Sequence, residues 1–134
     1  MAPSQRKAGQ GDPRRELGRM AEDLCAKTLR QAGWKLLARN WRIRRGEVDL
    51  IALDVDVLVF VEVKASRPEP RHGPEAPALA VGPAKQRRLR FLASAWIARH
   101  GHGHAFEGVR FDVVGVLVGR DGSIISIEHI ENAF

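Results

Sequence analysis

The chain has 134 residues, 44% of them hydrophobic with three Trp and five Phe, and carries a formal net charge of +6. That length supplies one core and excludes two independent domains, while the composition excludes a wholly disordered chain. Its single cysteine, Cys25, excludes an intramolecular disulfide; no run approaches the roughly 18 apolar residues of a membrane span, and nothing near Met1 reads as a secretory signal. A cytoplasmic protein with no membrane partner is expected.

Residues 1–14 hold Gly, Gln, Pro and charge but no bulky apolar side chain after Met1, which predicts a disordered basic tail ahead of a single domain at 15–134. From Glu16 the pattern turns helical: Leu17, Ala21, Leu24, Cys25, Thr28 and Leu29 recur on one stripe until Gly33 supplies an end, with Glu22 at the stripe's edge. Residues 34–41 read as a first strand and 42–46 as a basic turn. Two strings follow, GEVDLIA at 46–52 and VFVEVKA at 59–65, which read as two strands of a hairpin. Residues 66–83 carry five prolines and two glycines and predict a long Pro-rich loop beside them. A second helix is expected over 84–100, burying Leu89, Leu92, Ala93, Trp96 and Ile97 and carrying Lys85, Arg87, Arg88 and Arg90 in its first turns. Strands at 109–118 and 123–130 complete the chain. The order predicts an α/β sandwich with a central mixed sheet of four to five strands flanked by helices, the fourth strand returning parallel to the third.

The hairpin concentrates the chemistry. Period-two alternation puts Glu47, Asp49, Ile51 and Leu53 on one face of its first strand, and Leu58, Phe60, Glu62 and Lys64 on one face of its second. With Val55 and Asp56 at the tip, opposed residues have numbers summing to 111, so Asp49 faces Glu62 and Glu47 faces Lys64, with Cβ atoms about 4.5 to 5.5 Å apart. Two facing carboxylates near a half-buried surface call for a cation or a shared proton. Lys64, roughly 6 to 7 Å along the same face from Glu62, would help neutralise the pair or touch a metal-bound water or phosphate. Val55-Asp56 lacks the glycine or asparagine that tight turns favour.

Charge is unevenly placed. Residues 1–45 hold twelve Lys or Arg against four acids, whereas residues 46–63 hold five acids and no base. An acidic cluster within a basic chain suits a polyanion held by cations and cut at a metal; a solvated basic surface without a partner fits the same distribution.

Gly18 with Ala21-Glu22, Gly33, Asn40 with Arg42, GEVDLIA, VFVEVK, Lys85 and RFDVV at 110–114 occur in order over about residues 15–118. Together they resemble the YraN-like family of small bacterial proteins, which is similar in turn to the PD-(D/E)xK nucleases, archaeal Holliday-junction resolvases in particular. The resemblance implies a restriction-endonuclease-like fold and a Mg²⁺- or Mn²⁺-dependent endonuclease acting on DNA, branched DNA included. It implies Asp49, Glu62, the Val63 carbonyl and Glu22 as metal ligands, Lys64 orienting the attacking water, and Glu47 at a second ion or paired with Lys64. Arg42, Arg44, Arg45, Arg67, Lys85 and Arg88 would contact nucleic acid, and cutting two strands of a junction would call for a homodimer. Two positions depart from the family pattern: Val55 stands in a turn that usually contains glycine, and Ser66 replaces an arginine, with Arg67 one place later.

Other readings stay open. Asp49, Glu62 and Lys64 also fit a cross-strand ion network with Lys64 on Glu47. A catalytically silent nucleic-acid-binding accessory module for recombination, repair or processing fits the same residues, and a protein-interaction scaffold fits the charge. Asp112 beside Arg110 is expected to make a structural ion pair, Trp34 and Trp41 to pack at the core, Cys25 to be a packed thiol, and His100, His102 and His104 to form a plain loop.

Overall fold

The structure, a computed structural model, describes residues 12–68 and 81–134. Helix α1 (Pro13–Gln31) starts where the Asp12 carboxylate accepts a hydrogen bond from the Arg14 amide (3.0 Å), with Pro13 in the first turn, where a missing N–H leaves nothing unpaired. It begins before the expected Glu16 because its start signal is a polar cap lying ahead of the apolar stripe. The remainder of the expected tail, residues 1–11, lies outside the described residues, as does the 69–80 portion of the Pro-rich loop. Then follow β1 (Lys35–Ile43), β2 (Gly46–Asp54), β3 (Val57–Ser66), α2 (Pro83–His100), a 3-10 turn (Gly101–Gly103), β4 (Gly108–Val118) and β5 (Ile124–Ile130).

The strands form one sheet in the order β1-β2-β3-β4-β5, antiparallel except for the parallel pair β3 and β4 that flanks the α2 connection. Parallel neighbours need a crossover, and α2 supplies it. On one face α1 buries Ala21, Cys25, Ala26 and Leu29 against Leu50, Val59, Val61, Val114, Val116 and Val118. On the other, α2 buries Leu89, Leu92, Ala93 and Trp96 against Ile51, Leu53, Leu58, Phe60, Phe111 and Val113. Alternation along β3, with Leu58 and Phe60 on one side and Val59 and Val61 on the other, makes it a strand buried on both faces. The result is the expected α/β sandwich: a mixed five-stranded sheet between two helices, consistent with restriction-endonuclease-like layering.

The β2–β3 pairs run from Asp54↔Val57 to Leu50↔Val61, all summing to 111, so the tip is Val55-Asp56 as expected. Val55 meets the turn's demand at φ 55 while 89% exposed, a left-handed conformation that a β-branched residue adopts at a cost of about 1–3 kcal/mol. The strict alternation expected from Glu47 to Leu53 does not hold. Leu50 joins the α1 cluster, yet Val48, two residues away, joins the α2 cluster. The facing strand does the same: Arg39 reaches Asp23 on α1, whereas Trp41 packs edge-on against His100 of α2, with ring centroids 6.3 Å apart. Between Arg39↔Leu50 and Trp41↔Val48 lies Asn40, at φ 50, opposite Asp49. A left-handed residue within a strand reverses which face its successors address, and Asn tolerates that conformation better than most residues.

Candidate functional site: an acidic pocket in a basic rim

A pocket of about 390 Å³ opens where β2 and β3 stop pairing, lined by Arg42, Ile43, Arg44, Gly46, Glu47, Asp49, Glu62, Lys85, Arg88 and Leu89. Its floor is the carboxylate pair, Asp49 and Glu62, each only 8% exposed. The β2–β3 ladder ends at Leu50↔Val61, one pair short of them. In place of a further ladder contact, Asp49 Oδ2 accepts a hydrogen bond from the Val63 amide at 2.8 Å. An amide donor on the neighbouring strand thus fixes the Asp49 rotamer, within reach of the Glu62 charge.

The electrostatics follow from burial. Desolvation, reinforced by the Glu62 charge, pushes Asp49 up to about 8 despite the Val63 amide, and Glu22 and Glu47 add to the rise. Glu62 has a cation: Lys85 Nζ stands 2.9 Å from Oε1. Burial opposes the Lys85 charge, but its bond to Glu62 outweighs that and holds the ammonium above its ordinary range. Lys64 is pulled the other way, by burial and then by the Lys85 charge. The half-buried Glu22 carboxyl is raised by burial, partly offset by the neighbouring Asn40 side chain. The residue that reverses β1 thus also borders the acid that α1 contributes.

The structure brings Asp49, Glu62, Glu47, Lys85, Arg42, Arg44 and Arg88 to one pocket, with Glu22 and Lys64 close enough to act on its charges. Two placements differ from expectation, those of Glu47 and Arg67. Glu47 is held by Arg42 (2.6 Å) rather than by Lys64, because the strands have separated where a cross-strand pair would form and β1 presents an arginine directly opposite. The Arg67 guanidinium donates to the Gly119 carbonyl (2.9 Å) at the β4–β5 turn and lies outside the pocket lining. Arg45 stacks its guanidinium over the Phe91 ring, 4.1 Å from the centroid. Sequence reasoning missed Lys85 as the partner of Glu62, although its place in the first turn of a basic helix beside the hairpin was the signal available.

Among the described residues no group of three or more His, Cys, Asp or Glu side chains converges as a metal cage. Asp49 and Glu62 still offer hard oxygen donors of the kind that Mg²⁺ or Mn²⁺ takes, and burial, with the Glu62 charge behind it, leaves the Asp49 carboxylate poorly solvated. The donor set fits a divalent cation that completes its shell with water or phosphate oxygens.

The secondary features behave structurally. Asp112, fully buried, is bonded by Arg110 (2.9 and 3.0 Å), by His129 Nε2 (2.7 Å) and by the Asn132 amide (3.0 Å), the ion pair expected of it. Burial drives its pKa upward, but these partners outweigh that and hold it below the usual carboxylate range. Cys25 is a packed thiol raised to about 12 by burial. His104 stacks on Trp96, centroids 5.8 Å apart, and His100 lies against the same ring, so these histidines are spent on aromatic packing.

Fold and site together define a basic α/β-sandwich protein whose hairpin carries a paired-carboxylate pocket. The chain belongs to the uncharacterised protein family UPF0102, the YraN family, whose family model matches residues 21–116. Similar relatives include UPF0102 proteins from Streptomyces griseus (52% identical, covering 84% of this chain and 91% of the relative) and Rhodococcus jostii (48%, covering 88% and 95%). Another, from Anaeromyxobacter dehalogenans, is 46% identical and covers 94% of this chain and 89% of its own length. No helix among the described residues is long and apolar enough to cross a membrane.

Proposed function

We propose that this protein is a divalent-metal-dependent phosphodiesterase of the PD-(D/E)xK kind that cuts DNA. The observation that carries the reading is the Asp49–Glu62 pair, nearly buried and held above its ordinary titration range at Asp49, in a pocket rimmed by Arg42, Arg44, Lys85 and Arg88. Asp49 and Glu62 would hold the ion, with the Val63 carbonyl beside them. When bound, a divalent ion supplies Lewis acidity and a water of lowered pKa at the phosphate. The chain's own part is positional. The Val63 amide fixes Asp49, Lys85 neutralises Glu62, and the rim arginines grip phosphate oxygens in forked hydrogen bonds. Lys64, lowered in pKa by its surroundings, is a more available proton acceptor than a surface lysine.

A second reading, the silent accessory module, draws support from Lys85 and Arg42, which already occupy Glu62 and Glu47. The test is cleavage of labelled single-stranded, duplex and four-way-junction DNA by the wild type and Asp49→Ala in Mg²⁺, Mn²⁺ and EDTA. Metal-dependent cutting that the substitution abolishes supports the phosphodiesterase. Binding without cutting by either protein, across all three substrates, favours the accessory module.

A further inference from the structure

Phe91 is a large aromatic on the water-facing side of α2, 42% exposed, where burial would stabilise the fold more. Its position is specific. Lys85, Arg88 and Phe91 recur every three residues along α2, a spacing that makes successive side chains neighbours on a helix surface. Lys85 touches Glu62 and Arg88 lines the pocket, so Phe91 is the next step outward from the acids, about 9 Å along the axis from Lys85. From the other side the β1–β2 turn delivers Arg45, whose guanidinium lies over one face of the ring, 4.1 Å from its centroid. That turn is seated firmly on the helix. Gly46 has φ 147, and a Cβ there would lie 3.2 Å from Arg88 Cδ and 3.3 Å from Leu92 Cδ1. Two planar groups on different elements are thus held together next to Arg44, Gly46 and Arg88, which line the acidic pocket.

We propose that Phe91 and Arg45 form a stacking platform for one unpaired base, and that the substrate is therefore nucleic acid with unstacked bases beside the phosphate in the pocket. This rests on the nucleic-acid reading above and narrows it. Aromatic rings and guanidinium planes both accept the face of a base, and such stacking tolerates any base identity. In continuous duplex each base face is already covered by its neighbours, so the platform favours single strands, frayed ends and branch points. The rim arginines act on phosphates and make no such distinction.

The experiment is binding of a single-stranded oligonucleotide carrying one 2-aminopurine, and of the same strand in duplex, to the full chain in EDTA, where no cleavage is needed. Wild type, Phe91→Ala, Phe91→Trp and Arg88→Ala are compared after thermal unfolding confirms that each is folded. Phe91→Ala should weaken single-strand binding about tenfold to a hundredfold. It should abolish quenching of the 2-aminopurine and leave duplex affinity and the salt dependence unchanged, and Phe91→Trp should restore both signals. Arg88→Ala should weaken both substrates alike and flatten the salt slope by about one. Equal losses on single strand and duplex for Phe91→Ala, or none on either, would overturn the platform while leaving the nucleic-acid reading intact. A wild type that binds neither probe at low salt overturns both.

Discussion

Replacing Asp49 by Asn should stabilise the protein in the absence of divalent metal, increasingly as pH rises above about 4. The folded chain raises the Asp49 carboxyl from its ordinary 3.8 to about 8. Between those values the folded state holds a proton that the unfolded state has released, so the contribution of Asp49 to stability is present below about pH 4 and is lost as pH rises toward 8. The rise corresponds to a ceiling of about 6 kcal/mol. Protein sites respond with an effective dielectric nearer 20 than 4, and Lys85 remains to stabilise Glu62, so we expect Asn to recover about 2 kcal/mol at pH 8. The Asn carbonyl oxygen keeps an acceptor for the Val63 amide, and the gain should raise Tm by about 6 °C. Thermal unfolding in EDTA between pH 4 and pH 8 reads it: the variant melts above the wild type at pH 8, and the gap narrows as pH falls toward 4. Millimolar Mg²⁺ or Mn²⁺ at pH 8 should then raise the wild-type Tm and leave the variant's unchanged. A variant less stable than the wild type at pH 8 in EDTA, or a gap indifferent to pH, would refute the electrostatic account of the pocket.

Two further outcomes test the scaffold. Arg110→Met leaves the buried Asp112 without its main cationic partner and should cost about 3–5 kcal/mol in urea unfolding. Because Asp112 is held low in the folded state, its contribution in the wild type exists above the ordinary Asp value and is lost as pH falls through the folded one; the variant should show a weaker fall on the acid side. Val55→Gly removes a β-branched side chain from φ 55 at a position 89% exposed and should raise the urea midpoint by about 1 kcal/mol equivalent with m unchanged; a lower midpoint would show that the turn carries no strain.

What the sequence revealed was local. The sum rule about Val55-Asp56 placed the hairpin register correctly from Asp54↔Val57 to Leu50↔Val61 because one two-residue turn fixes those pairs, and a helix between strands three and four was enough to forecast that strand four lies parallel to strand three. The reversal at Asn40 was not foreseen because period-two reasoning assumes a regular strand; the asparagine itself was the one hint in ARNWR, since Asn takes the left-handed region more readily than most residues. The partners of long side chains were equally hidden. Whether Lys64 or Lys85 meets Glu62, and whether Arg67 faces the pocket or Gly119, depends on helix docking and rotamers rather than on spacing. Nothing in the spacing along α2 singled out Phe91; only the folded β1–β2 turn brings Arg45 onto its ring.

The acids and their cation belong to different levels of the chain's connectivity. Asp49 and Glu62 sit on two strands joined by a two-residue turn, so closing that hairpin is enough to bring them together, at little loop-closure cost. Lys85 arrives only when α2, far beyond the end of β3, docks across the sheet and lets β4 join as its parallel neighbour. Non-local pairings of that kind form late because their chain entropy is spent before any contact rewards it. The attractive half of the pocket therefore depends on longer-range assembly than the repulsive half, and the two motif strings excised as a hairpin would carry both carboxylates without Lys85 to balance them. The pocket is a property of the assembled sandwich, written in two strings of sequence but completed by a helix that neither string contains.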